Sequence, residues 1–180
     1  IITLIDDNKD KAIEVATETI NSFEKIYEEK WLNMMRDKIG LFGEDNNDQI
    51  LIMELLTWMH KNKVDYTNTF CFLMNEQFSD NEIYNDKNFL IWKEKWESRL
   101  KINNNSQEKY TKLMHSVNPL IIPRNHKVEE ALAAANDGNL EVLNKLLTVF
   151  DKPYENQSDI TDFQSPAPSS NKAYQTFCGT

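Results

Sequence analysis

Apolar positions recur at steps of three and four along most of this chain, a spacing that puts them on one face of a helix. Ile13, Ala16, Ile20, Phe23, Tyr27, Trp31 and Met34 form the first such stripe. Asp6, Asp7 and Asn8 offer N-cap oxygens ahead of it, and Gly40 stands where the residue after a helix end belongs, so one helix of roughly 40 Å, ending near Ile39, is predicted. Ile50, Met53, Leu55, Leu56 and Met59 predict a second, central helix from Asp48 to about Lys61. Asp65 is placed to cap a third over Tyr66 to Met74. A polar connector from Ser79 to Asp86 follows, and then Phe89, Trp92, Trp96 and Leu100 mark a fourth helix ending near Lys101. The Asn103-Asn104-Asn105 run breaks it. Asn105 with Glu108 resembles a capping box for the next helix, whose Tyr110, Leu113, Met114 and Val117 point inward.

The periodicity stops at Asn118-Pro119-Leu120-Ile121-Ile122-Pro123-Arg124-Asn125-His126. Two prolines four residues apart hold φ at their own positions and push Asn118 and Ile122 toward extended backbone. Leu120, Ile121 and Ile122 are each worth about 1.5–3 kcal/mol on full burial, so an extended strap pinned into the core is predicted. Arg124, Asn125 and His126 then present a charge, a capping amide and an imidazole at the mouth of the next helix. Val128, Ala131, Leu132 and Ala135 line that helix, Gly138 ends it, and Leu140, Val142, Leu143, Leu146, Leu147 and Phe150 line its successor. The pair looks like the helix-turn-helix of an ankyrin repeat, but nothing repeats at the ~33-residue period an array needs. From Asp151 the composition shifts to Pro153, Ser165, Pro166, Pro168, Ser169 and Ser170, a non-helical tail with little to pack. It closes on Tyr174-Gln175-Thr176-Phe177-Cys178-Gly179-Thr180, an end expected to dock. The fold class is therefore all-α: a bundle of about six to seven helices with an extended Pro-containing strap and a non-helical tail. Residues 1–150 form the helical domain and residues 151–180 the extended tail.

Composition narrows the function. A net charge of −9 and a pI near 4.9 argue against wrapping nucleic acid or an anionic membrane, which need a basic footprint, and leave only a local basic patch open. No run approaches the ~18 apolar residues of a membrane span. Two cysteines far apart, Cys71 and Cys178, fit a reducing cytoplasmic setting better than a disulfide scaffold. The chain opens on Ile1 to Ile5, an apolar run that invites a cover, and a piece of a longer polypeptide is expected.

Candidate chemistry is sparse. An EF-hand beginning at Asp45 fails, since its sixth position is Ile50 where glycine belongs and its twelfth is Leu56 where a bidentate glutamate belongs. No glycine-rich phosphate loop, Walker pattern, HExxH or GxSxG elbow is present. His60, His115 and His126 are scattered, Asp162-Phe163-Gln164 lacks the glycine of a kinase metal motif, and Trp92 with Trp96 reads as core rather than a ligand shelf. No catalytic, cofactor-binding or metal-binding residue is assigned. Cys71, amid apolar neighbours, reads as a small buried hydrophobe. Cys178 is the one redox candidate, being accessible by position; the alternative is an inert thiol.

Met35-Arg36-Asp37-Lys38-Ile39-Gly40-Leu41, Asp65 to Phe70, Asn118 through Glu129, Pro153-Tyr154-Glu155, Pro166-Ala167-Pro168 and Tyr174 to Thr180 resemble, in that order, the C-terminal part of the selenoprotein O family. The resemblance implies a kinase-like, pseudokinase enzyme that moves AMP from ATP onto Ser, Thr or Tyr hydroxyls of protein substrates, with ATP and magnesium held by a lobe upstream of Ile1. It places the phosphate-contacting Lys and Arg and the metal-binding Asn and Asp in that lobe. It implies a redox role for Cys178, standing where family members carry selenocysteine or cysteine, with a regulatory disulfide to an upstream cysteine. No bridge between Cys71 and Cys178 is expected. The compartment implied is the cytoplasm for a bacterial protein and the mitochondrion for a eukaryotic one. The rival class is a non-enzymatic helical protein-interaction domain; a phosphotransferase follows from kinase likeness alone.

Overall fold

Several helix ends in this chain are set by capping side chains or by a glycine that satisfies orphan backbone groups, as the computed structural model shows at Asn8, Gly40, Asp65 and Asp86. The structure describes residues 2–74, 82–102, 104–158 and 160–167. Helix α1 (Lys9–Lys38) starts at Asn8, whose Oδ1 accepts from the Asp10 and Lys11 N–H groups. It ends at Ile39. Gly40 then takes φ +73°, its N–H donates to the Asp37 carbonyl and that of Leu41 to the Arg36 carbonyl, the paired bonds of a Schellman motif. Helices α2 (Asp48–Asn62), α3 (Tyr66–Leu73), α4 (Lys87–Lys101), α5 (Gln107–Val117), α6 (Asn125–Asn136), α7 (Glu141–Phe150) and α8 (Thr161–Gln164) follow, with 3-10 turns at Ile2–Leu4 and Glu82–Asn85. Among the described residues there is no strand, and the fold is all-α. The chain divides into two compact units, Ile1–Asn62 with Tyr84–Met114 and Lys63–Ile83 with His115–Thr180.

In the first unit the core is built on α2, α4 and the last turns of α1. Met35, Ile39, Ile52, Leu55, Phe89 and Met114 are buried. Trp92 and Trp96 are core, as expected, with rings stacked at 5.8 Å. Each indole has found an acceptor for its N–H: the Leu51 carbonyl at 2.8 Å for Trp92 and the Ile39 carbonyl at 2.7 Å for Trp96. Trp58 extends this row, packing on Phe89 at 4.6 Å and donating to Asp86, which also caps α4.

Burial does not follow every apolar stripe. The α1 stripe is exposed at Ile13, Ile20, Phe23, Tyr27 and Met34, and burial on α1 falls on Ala12, Met35, Arg36 and Lys38. On α2, Ile50 and Met53 are exposed while Leu51, Ile52 and Trp58 are buried, because the α4 contact selects the neighbouring arc of the helix. α5 starts one residue later than a cap at Asn105 requires. The Ser106 Oγ accepts from the Lys109 N–H, and Asn105 takes the Lys109 ammonium instead.

The second unit assembles α3, α6, α7 and α8 around the strap. Leu120 and Ile121 are buried as predicted, and the Leu120 N–H donates to the Pro153 carbonyl at 2.8 Å. Asp65 caps α3 through the Asn68 N–H. Asn125 is the first residue of α6 rather than its cap, the cap position belonging to Arg124 with no side-chain bond. Ala131 is buried but Leu132 is exposed, and on α7 Leu146 and Val149 are buried while Val142 and Leu147, with Leu140 at the cap position, are exposed. Between Pro153 and Pro166, α8 forms a single helical turn that buries Phe163 and Gln164, with Ile160 buried just before it, so this part of the tail packs.

Candidate functional site

Two polar nodes stand out, one within each unit. In the first, the Asp48 carboxylate at the start of α2 is buried and lies between two guanidiniums. Arg36 Nε on α1 donates at 2.8 Å, Arg99 Nε on α4 at 2.7 Å, and the Asp45 backbone N–H at 3.0 Å. Arg99 also donates to the Phe42 and Gly43 carbonyls, and Arg36 to Asn33 Oδ1. Burial pushes the Asp48 carboxyl up, but the hydrogen bonds from Arg99, Arg36 and the Asp45 N–H outweigh it and hold the group below the usual carboxylate range. The node ties three helices and the loop after α1 together.

In the second unit, Arg124 at the end of the strap forks onto Asp65 and donates to Asn68 Oδ1 at 3.0 Å. Asn68 in turn donates to the Gln164 carbonyl, and the Gln164 amide donates to the Leu120 carbonyl at 3.1 Å, so strap, α3 and α8 share one network. The Cys71 thiol donates to the Pro119 carbonyl at 3.5 Å and is fully buried, as the small-hydrophobe reading expects. Nearby, Lys127 is held by Asp162 at 2.9 Å and by Glu130 at 3.2 Å, beside an open depression also lined by His126, Glu129, Ser165 and Pro166. The Asp162 carboxylate raises the Lys127 ammonium above its ordinary range; burial opposes it, and Glu130 adds a lesser upward contribution.

These nodes brace backbone; neither pairs a nucleophile with a base. Among the described residues no three or more His, Cys, Asp or Glu side chains come together as candidate metal ligands. His60 is exposed on α2 and His126 stands at the start of α6. Cys178, the end from Tyr174 to Thr180 that was expected to dock, and residues 79–81 of the Ser79–Asp86 connector lie outside the described residues, as does any pairing of Cys71 with Cys178. The Asp48 node went unread in the sequence although one signal was there. Arg99 occupies the next position of the Phe89, Trp92, Trp96 stripe, and an arginine in that register marks a buried ion pair.

What these geometries define is a helical chain braced by a buried ion-pair node in one unit and a part-buried polar network in the other. The family model described as protein adenylyltransferase SelO matches residues 3–151. A protein from Pelagibacter ubique named protein nucleotidyltransferase YdiU is 53% identical over 180 residues. Proteins of the same name from Nitrosococcus oceani and Clostridium beijerinckii are 41% and 39% identical over 181 and 180 residues. Each alignment covers 100% of this chain, and the chain spans 37% of the length of each relative. The chain belongs to the SelO family of protein adenylyltransferases. No described helix is long and apolar enough to cross a membrane.

Proposed function

We propose that this chain is the C-terminal scaffold of a protein adenylyltransferase that transfers AMP from ATP to Ser, Thr or Tyr hydroxyls of other proteins. The observation that carries the reading is the family match along residues 3–151, joined to full-length relatives named as nucleotidyltransferases of which the chain makes up 37%. On this reading residues 1–150 are the helical C-terminal domain and residues 151–180 a tail that docks near its Cys178-containing end, where Cys178 has a redox role. ATP, magnesium and the residues that hold them belong to a kinase-like lobe upstream of Ile1, and no residue of this chain is assigned to them. In the reaction a target hydroxyl attacks the α-phosphorus and pyrophosphate leaves, with the developing charge met by cationic groups of that lobe. The protein works in the bacterial cytoplasm, or in mitochondria if eukaryotic.

A second reading, a non-enzymatic interaction domain, draws on the apolar side chains that the α6–α7 hairpin leaves in solvent, Leu132, Leu140 and Leu147. Labelled ATP separates the two. Full-length protein supplied with α-labelled ATP is expected to label itself or a partner, and with γ-labelled ATP to label nothing. Transfer of the γ label would make it a phosphotransferase, and no transfer of either label would favour the interaction domain. The 180-residue chain alone is expected to be inactive and to bind no ATP in calorimetry.

A further inference from the structure

From its first turn to Met34, α1 buries only Ala12. Ile13, Ile20, Phe23, Tyr27 and Met34 fall within an arc of about 80° at 3.6 residues per turn, and Ile20 and Phe23 are 72% and 65% exposed. Phe23 and Tyr27 already stack on each other with centroids 6.0 Å apart, forming a continuous apolar ledge. The opposite face carries Glu18, Ser22, Lys25 and Glu29. A projecting helix draws its stability in water from packing an amphipathic face, and a contiguous exposed patch of this kind marks a contact surface.

We propose that the α1 stripe is an intramolecular docking surface, covered in the whole protein by the part of the polypeptide that precedes this chain. The inference rests on the reading of the chain as the C-terminal part of a longer enzyme. Two observations choose the occupant. The relatives align along all of this chain yet are 37% covered by it, leaving the larger part of each outside these residues. Ile2, Leu4 and Ile5, ahead of α1 and toward the end at which that part would join, are exposed apolar side chains as well. A second copy fits worse. Glu24 and Glu28 border one edge of the stripe, and a two-fold antiparallel pairing of α1 would set that acidic edge against itself in a chain of net charge −9.

The test uses full-length protein carrying single cysteines at Ile20→Cys or Phe23→Cys on the stripe and at Lys25→Cys or Glu29→Cys opposite it, with labelling of the native cysteines subtracted. Maleimide is expected to react at positions 20 and 23 at least about tenfold more slowly than at 25 and 29, as for sites that open only locally. Amides of residues 13–31 in the unmodified full-length protein are expected to exchange slowly with deuterium, a readout that needs no variant. Equal labelling on both faces, or exchange of these amides at the rate of a fraying helix, overturns the proposal. So does protection that disappears on dilution, which identifies a second copy, and so does equal protection in the 180-residue chain alone, which puts the cover within it. AMP transfer is scored separately, so loss of that activity with the stripe still protected counts against the enzyme reading and not against the docking surface.

Discussion

Replacing Asp48 by asparagine keeps the side chain's shape and removes the charge that two buried guanidiniums share. Arg36 and Arg99 are 8% and 7% exposed, so neither can turn to water without dismantling the contact between α1, α2 and α4. Removing one partner from a buried pair costs about 3–5 kcal/mol, chiefly from the uncompensated charge left behind. The asparagine oxygen can still accept from one arginine, which sets Asp48→Asn near the lower end, about 3 kcal/mol, and Asp48→Ala nearer the upper. For a chain of this size about 3 kcal/mol corresponds to a fall in Tm of roughly 6–12 °C. Urea titration followed by circular dichroism reads it as a lower midpoint at unchanged slope. Asp162→Asn is the control. Its carboxylate also meets a cation, but its side chain is 68% exposed, and less than about 1 kcal/mol is expected. The triple change Asp48→Leu, Arg36→Met, Arg99→Met should recover most of the loss, since apolar groups of similar volume can replace a buried ionic node at little cost. The sign with pH is also set. A carboxyl held below its unfolded value, about 3.9, stabilises above that pH, and its contribution is lost as pH falls through the lower folded value. The difference between wild type and Asp48→Asn should therefore shrink below about pH 4. If Asp48→Asn costs no more than Asp162→Asn at neutral pH, the node does not brace the first unit and the reasoning fails.

Two glycines end helices in the left-handed region with different surroundings, and they give a matched pair. Gly138→Ala, with no atom within 4 Å of the new Cβ, should lose about 1–2 kcal/mol from backbone strain alone. Gly40→Ala places its Cβ 3.0 Å from Met114 Sδ and 3.2 Å from Tyr110 Cβ, and overpacking should add about 1–3 kcal/mol; equal midpoints in urea would contradict the packing at Gly40. Trp96→Phe leaves the buried Ile39 carbonyl without its indole donor and should cost about 1–3 kcal/mol beyond the lost area. A Trp96→Phe variant as stable as wild type would show that the 2.7 Å bond carries no weight.

Helix existence was legible in the chain because caps and breakers are local. Asn8, Asp65, Gly40 and Gly138 act on backbone groups within a few residues, and all four stand at the helix ends they predict. What a stripe faces is not local. The Ile13 to Met34 periodicity correctly marks one helical face as apolar, but it holds no information about what covers that face, and in this chain the face is bare. Ile50 and Met53 failed for a related reason, since the position of α4 decides which arc of α2 is inside. The Asp48 node joins residues 12 and 51 positions apart, and an aspartate at a helix start already has a sufficient local explanation as a cap. α8 was hidden by its length. A four-residue helix has no period to detect, and only Ile160 and Phe163 among the prolines and serines hinted that this stretch packs.

On the proposed function, these helices support an AMP-transferring enzyme whose nucleotide site lies outside them. Full-length protein incubated with magnesium and either α- or γ-labelled ATP tests it most directly, read on a denaturing gel. A labelled protein band is expected from the α-labelled nucleotide only; a band from the γ-labelled nucleotide, or none from either, overturns that function.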